Sequence, residues 1–113
     1  MPFDGLPQKA LEDIVRLRTA LEGVQKGWVN GKVGAKGTDA HCAVGWLLAA
    51  TDWDRDEATR LAIDYVFPAL PPHAQHPDRR LASIWKYNDG GGRKRVETLF
   101  ERAVTLAESR LMR

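Results

Sequence analysis

The only cysteine of the chain, Cys42, stands in the almost wholly apolar segment HCAVGWLLAA (residues 41–50), in the first turn of a predicted helix. A cysteine at the N-terminus of a helix can act as a nucleophile, because the helix dipole lowers the pKa of its thiol. A thiol enzyme also needs a base, and the chain offers His41, His73 and His76. Because adjacent residues of a helix do not face each other, His41 is the poorest of the three. This pattern makes Cys42 a candidate catalytic residue with a histidine base.

The third member of such a site, which would orient the imidazole, could be Asn88, Asp89 or Asp39. A second interpretation of Cys42 requires no chemistry. Free cysteine is among the most often buried residue types and packs as a small apolar side chain. We favour this second interpretation, so the sequence predicts no catalytic residue and leaves Cys42 as the one candidate for an enzyme.

A run of three basic residues, Arg93, Lys94 and Arg95, follows three glycines near the C-terminal end. Glycines that open a helix leave free N–H groups, which attract anions. Basic side chains in the first turn oppose the helix dipole, so they are costly unless an anion compensates for them. A neighbouring carboxylate, Asp89 or Glu97, could provide that compensation. These three residues are therefore predicted to bind an anion or to form a solvated helix face.

Other arrangements that could bind a metal or cofactor lack the necessary spacing. His41, Cys42, His73 and His76 are types that zinc uses, but no CxxC or helical HxxxH pair accompanies them. The segment GKVGAKGT (residues 31–38) contains glycines and lysines without the spacing of a phosphate-binding loop. The sequence therefore predicts neither a bound metal nor a cofactor.

The charge is unevenly distributed along the chain. Residues 1–78 carry 8 Lys/Arg and 11 Asp/Glu, whereas residues 79–113 carry 9 Lys/Arg and 4 Asp/Glu. The net charge of the second segment is therefore +5 and that of the first is −3. Such an asymmetry indicates an anionic partner for the basic third, either an acidic protein or a nucleic acid.

The composition is that of one globular domain spanning residues 1–113. A single cysteine cannot form an internal disulfide bond, so a cytoplasmic protein is expected. The first ten residues lack the pattern of a signal peptide, and the longest apolar run is too short to span a bilayer. We therefore expect no association with membranes, and either a monomer or a homodimer.

Apolar residues recur at helical spacing through most of the chain. A first helix is predicted from near Pro7, and a second is predicted with Thr38 or Asp39 as its N-cap. A third helix is predicted after Asp52 or Asp54, with Pro68 ending or kinking it early. A short helix then stops at NDGGG (residues 88–92), and a long amphipathic helix follows it.

These elements predict an all-α fold, a bundle of four to five helices. The second helix is apolar on every face, which predicts that it is the buried central helix of the bundle. The dipeptide Asn30–Gly31 lies between Trp28–Val29 and Lys32–Val33, a pattern that favours a type I′ turn. A short β-hairpin near residues 28–33 is therefore a further prediction.

Three short motifs in this order resemble a family of small bacterial and phage proteins that is known as a domain of unknown function. They are Trp28-Val-Asn30-Gly31, Cys42-Ala-Val-Gly45 and Tyr87-Asn88-Asp89. The family has Trp-x-Gln-Gly, Cys-x-x-Gly-Ala-Leu and Trp-Asn-Asp at these places. The resemblance spans roughly residues 10–107, and implies a small helical fold without an established activity.

The resemblance also implies that Trp28, Asn30, Cys42, Asn88 and Asp89 lie together at the N-terminal end of the second helix. There the polar side chains could cap helix ends and tie loops together, or line a small polar pocket. The sequence thus predicts a non-catalytic interaction or regulatory protein that uses its basic third. The alternatives are a thiol enzyme that acts through Cys42 and a nucleic-acid-binding protein that uses the basic run.

Overall fold

The computed structural model describes residues 5–31, 34, 36–38 and 40–111. Within these residues every regular element is helical, which confirms the all-α prediction. The α-helices are α1 (Gly5–Gly27), α2 (Ala43–Ala50), α3 (Arg55–Leu61), α4 (Phe67–Ala69), α5 (Arg80–Asp89) and α6 (Arg93–Leu111). No helix in this part of the chain is long and apolar enough to cross a membrane.

The two longest helices, α1 and α6, pack along each other and form the main layer of the core. Their buried faces follow the predicted spacing of three and four residues. On α1 the predicted positions Ile14, Leu17 and Val24 are buried, whereas Trp28 lies just beyond the end of the helix. On α6 the buried apolar residues are Val96, Leu99, Phe100, Ala103, Val104 and Ala107.

Helix α2 packs against α1, α3 and α5, with Ala43, Gly45 and Leu47 buried. It begins later than predicted, because Cys42 is its N-cap rather than Thr38 or Asp39. The N–H of His41 donates to the carbonyl of Gly27, and the N–H of Val29 donates to the carbonyl of His41. These bonds hold residue 41 in an isolated parallel bridge with Trp28, so the helix cannot start before it. Asp39 lies outside the described residues.

The predicted β-hairpin depends on Lys32 and Val33, which also lie outside the described residues. Of the strand residues in that prediction, Trp28 forms its bridge with His41, which precedes α2. No strand occurs among the described residues. The segment after α1 is therefore attached to the start of the next helix in the chain.

The third predicted helix begins as expected, since the side chain of Asp54 accepts a hydrogen bond from the N–H of Glu57. It continues through a π-helical turn (Ala62–Val66) into α4 and ends at Leu70. Pro68 lacks the N–H that would bond to the carbonyl of Asp64. Arg110 of α6 donates to that carbonyl instead, at 2.7 Å. The proline is thus accommodated near the end of the helix, as predicted.

The proline-rich segment between Leu70 and Arg79 contains one short 3-10 turn (Pro72–Ala74) and leads into α5. Helix α5 has its C-cap at Gly90, and α6 begins three residues later at Arg93. Both boundaries match the break that the glycines of residues 90–92 predict. This short connection places the basic run beside the C-terminal end of α5.

Candidate functional site

Asn88, near the C-terminal end of α5, is 1% exposed and connects three parts of the chain. Its side-chain oxygen accepts from the indole Nε1 of Trp28 at 2.8 Å and from the backbone N–H of Ala43 at 3.0 Å. Ala43 is the first residue of α2, so Asn88 satisfies an N–H group that the helix cannot pair internally. A residue of one helix thereby caps another.

The neighbouring Asp89 extends this arrangement to the segment after α1. Its carboxylate accepts from the N–H of Gly31 at 2.9 Å and from the side-chain amide of Asn88 at 3.0 Å. The side chain of Asn30 donates to the backbone carbonyl of Asp89 at 3.5 Å. Gly31 has a φ of +74°, a conformation that glycine adopts readily. These hydrogen bonds tie the residues together as the capping interpretation predicts.

Cys42 is 4% exposed and belongs to the same region as the N-cap residue of α2. Burial raises the pKa of its thiol, although the N–H groups of Gly45 and Val44 act in the opposite direction. Both effects were anticipated from the sequence, and burial is the larger. Of the candidate bases, neither His73 nor His76 forms a hydrogen bond with Cys42 in the described part of the chain. This environment is that of a packed thiol, since a nucleophile requires a lowered pKa and access.

We expect Cys42 to react with a neutral thiol reagent about a hundredfold or more slowly in the native protein than in denaturant, because its sulfur is buried. The measurement is the modification rate between pH 7 and 9, with Thr98→Cys in a Cys42→Ala background as the control. Thr98 is exposed on α6, so a cysteine there should react at nearly the unfolded rate. Equal rates at the two positions would restore the thiol-enzyme alternative.

The histidine that directly precedes Cys42 in the chain is also a packed residue. His41 is 1% exposed, and its ring meets that of Trp46 edge to face, with 4.7 Å between centroids. Trp53 forms a second ring contact at 5.6 Å. A side chain at Gly34 would collide with this imidazole, because an added Cβ would lie 2.3 Å from its Nδ1. His41 therefore helps to fix the segment before α2.

The three basic residues of the predicted anion site have different surroundings. Arg93 pairs with Glu97 at 3.2 Å and donates to the carbonyl of Gln25. Lys94 also approaches Glu97, at 3.9 Å, but its side chain is 91% exposed. Arg95 turns towards α5, where its guanidinium lies 3.7 Å from the ring centre of Tyr87. Glu97 is thus the compensating carboxylate for the first two residues, and only Arg95 leaves the exposed helix face.

Arg95 lines a cleft that the sequence did not predict. We call it the α5 cleft and define it by His73, His76, Ser83, Lys86 and Arg95. It consists of two adjoining cavities of about 290 and 330 Å³. Both are lined by His76, Ser83 and Lys86. A sequence signal exists for part of this cleft, since Ser83 and Lys86 share one face of α5 at a step of three.

A second group that the sequence did not predict surrounds Asp13, which is 2% exposed on α1. Arg60 binds both of its carboxylate oxygens, at 2.6 and 3.1 Å, and the hydroxyl of Tyr65 donates to it at 2.9 Å. Arg60 also bonds to Glu57, and these hydrogen bonds lower the pKa of Glu57 to about 2. Burial, followed by the bond to Asp13, raises the pKa of Tyr65. Asp13 falls on the buried stripe of α1, which is the signal that could have revealed it.

Among the described residues, no three His, Cys, Asp or Glu side chains are grouped closely enough to hold a metal ion. No protein-family model matches the chain, and no curated protein or solved structure matches it. The family suggested by the three short motifs therefore stays a prediction. Two features of the chain could serve a function: the polar cluster at the start of α2, formed by Trp28, Asn30, Asn88 and Asp89, and the basic residues of α5 and α6.

Proposed function

We propose that this chain is a small non-catalytic interaction protein that binds an acidic protein partner through α5 and α6. One observation carries the proposal: four basic side chains form no ion pair with any residue that the structure describes. They are Arg80, Lys86, Arg95 and Arg102. All four belong to these two helices, which pack against each other. Cations without internal partners remain available to carboxylates of another molecule.

The carboxylates of this region explain why the positive charge is not neutralised internally. Asp89 accepts from the N–H of Gly31, and Glu108 pairs with Arg18 of α1. Glu97 forms ion pairs with Arg93 and Lys94. Three of the four acidic side chains between residues 79 and 113 are thus already engaged, whereas nine basic residues lie in the same range.

The surroundings of Cys42 support the non-catalytic part of the proposal, because a buried thiol with a raised pKa is a poor nucleophile. We also propose a cytoplasmic location, where a single thiol stays reduced. Membership of the bacterial and phage family belongs to the same proposal and is supported by the motifs around Trp28, Cys42 and Asn88. The polar cluster then serves as the scaffold that holds α5 in place.

The proposal predicts that the chain binds polyglutamate, a model acidic polypeptide, and that added salt weakens this binding. The double variant Arg80→Gln/Arg102→Gln should raise the Kd by roughly two- to thirtyfold, since exposed ion pairs contribute about 0.2–1 kcal/mol each. Fluorescence anisotropy of labelled polyglutamate measures the effect. The matched control is Lys26→Gln/Arg55→Gln, which removes two exposed charges elsewhere and should leave the Kd within about twofold.

Two results would contradict this proposal. Equal weakening by both double variants would mean that only the overall charge matters. Tighter binding to a DNA duplex than to polyglutamate, with a steep dependence on salt, would favour the nucleic-acid-binding alternative. In that case neutralising Arg93, Lys94 and Arg95 should reduce the salt dependence, because each phosphate contact contributes to its slope.

A further inference from the structure

The α5 cleft has the lining of an anion site. The smaller cavity, of about 290 Å³, is bordered by His73 and His76 from the proline-rich segment, by Lys86 from α5 and by Arg95 from α6. Among the described residues, no acidic side chain borders this cavity. On the adjoining larger cavity, the one carboxylate from this part of the chain is that of Asp78, which is exposed and lies 3.8 Å from Arg79. The smaller cavity therefore has two cations, Lys86 and Arg95, from two helices, and two imidazoles from a third segment.

The guanidinium of Arg95 is held in place without a polar partner. It stacks on the ring of Tyr87, and its Nε is buried with no hydrogen-bond partner. None of its nitrogens bonds to a described residue. A buried, unpaired N–H group is unfavourable, and a guanidinium carries five donors in a rigid fork. The face of the guanidinium lies on Tyr87 and the residue borders the cavity, where such a fork can bind an oxyanion with two parallel hydrogen bonds.

Two glycines create the space in which Arg95 lies. A Cβ at Gly91 would be 2.6 Å from Cδ and 3.0 Å from Nε of Arg95. A Cβ at Gly90 would be 3.2 Å from one terminal nitrogen of the guanidinium. Distances of this kind require a side chain to move. The glycines before α6 therefore do more than end α5, since their missing side chains leave room for the side chain of Arg95.

We infer that the α5 cleft binds a phosphate group, with Arg95 as its bidentate partner and Lys86 as a second cation. A tetrahedral phosphate suits this lining better than a planar carboxylate, because the donors come from three elements rather than from one plane. The same chemistry fits a free phosphate monoester and a phosphorylated side chain of a partner protein. This site goes beyond the acidic partner proposed above, because it predicts that the chain binds a phosphate group even when no partner protein is present.

The test is a titration of the whole chain with inorganic phosphate at pH 8 and constant ionic strength, followed by NMR of the backbone amides. We expect saturable shifts at Tyr87, Gly90 and Gly91. The variant Arg95→Gln should raise the Kd about tenfold or more, since it removes charge-assisted hydrogen bonds. Arg95→Lys should also bind more weakly, because lysine keeps the charge but lacks the planar fork.

The matched control is Arg55→Gln, which removes one exposed positive charge from α3, outside the cleft. Its Kd for phosphate should stay within about twofold of the native value. Equal weakening in Arg55→Gln and Arg95→Gln would overturn the inference, and so would acetate binding as tightly as phosphate. Both variants should keep the native amide spectrum outside the cleft, so a loss of folding is recognised directly.

A phosphoserine peptide and glycerol phosphate distinguish the two sources of the phosphate group. Tighter binding of the peptide assigns the cleft to a phosphorylated partner, and tighter binding of glycerol phosphate assigns it to a small metabolite. Either result supports a phosphate site. Polyglutamate binding is measured separately with Arg80→Gln/Arg102→Gln, so failure of the proposed function is distinguishable from failure of the cleft.

Discussion

Replacing Asn88 with alanine is expected to lower the free energy of unfolding by about 2–5 kcal/mol. The substitution leaves two donors without their acceptor, the indole N–H of Trp28 and the backbone N–H of Ala43. An unsatisfied buried donor costs about 1–3 kcal/mol, which applies in full to the N–H of Ala43 and in part to the half-buried indole of Trp28. For a domain whose total stability is about 5–15 kcal/mol, this is a large fraction. Urea denaturation followed by tryptophan fluorescence measures the change.

The control for this experiment is Asn30→Ala, which makes the same substitution in the same cluster. Asn30 is exposed and its side chain forms one long hydrogen bond with the described residues, at 3.5 Å, so its removal should cost less than about 0.5 kcal/mol. A comparable loss from both variants would show that the buried acceptor at Asn88 has no special importance. The difference between them measures how strongly α5 stabilises the start of α2.

Replacing Asp13 with alanine is expected to cost about 2–4 kcal/mol, because it removes the buried carboxylate of a hydrogen-bonded network, while the part-exposed Arg60 keeps its pair with Glu57. Arg60 would lose two hydrogen bonds, and the hydroxyl of Tyr65 would lose its acceptor. These bonds join α1 to α3 and to the π-helical turn. Chemical denaturation again gives the free energy, and circular dichroism shows whether the helices persist.

The matched control uses another ion pair of α1, between Arg18 and Glu108. Both side chains are substantially exposed, so Glu108→Ala should cost no more than about 1 kcal/mol. A variant Asp13→Asn keeps the volume and removes the charge, which separates the ion pair from simple packing. If Asp13→Ala were as mild as Glu108→Ala, the buried network would be contributing little to stability.

Helix boundaries that depend on neighbouring residues were predictable from the sequence. Asp54 caps α3 with its own side chain, and Gly90 follows the last residue of α5. Pro68 acts through its missing N–H group, which affects residues within one turn. In each case the physical cause lies within about four residues, so no knowledge of the fold is required.

The start of α2 shows where local reasoning fails. Thr38 is a good N-cap residue by type, yet the helix begins at Ala43 because His41 bonds to the backbone of Gly27 and Val29. The free N–H of Ala43 is then satisfied by Asn88, which is 45 residues away in the chain. A capping rule that considers only nearby side chains cannot find this partner.

The candidate sites were also predictable only in part from the sequence. The resemblance pointed to Trp28, Asn30, Asn88 and Asp89 as neighbours, and the hydrogen bonds join them. The basic run was also evident, but its composition could not distinguish Arg95 from Arg93 and Lys94. Only the packing of α6 beside α5 turns Arg95 onto Tyr87, whereas Arg93 and Lys94 are left with Glu97.

The sequence by itself determined the helical class, most helix ends and the excess of positive charge in the last third. These properties follow from apolar spacing, caps and composition, which act over a few residues or need no geometry. The tertiary structure alone decided that Cys42 is buried, that Asp13 meets Arg60 and that the α5 cleft exists. These features join side chains from separate elements, and their burial depends on how those elements pack.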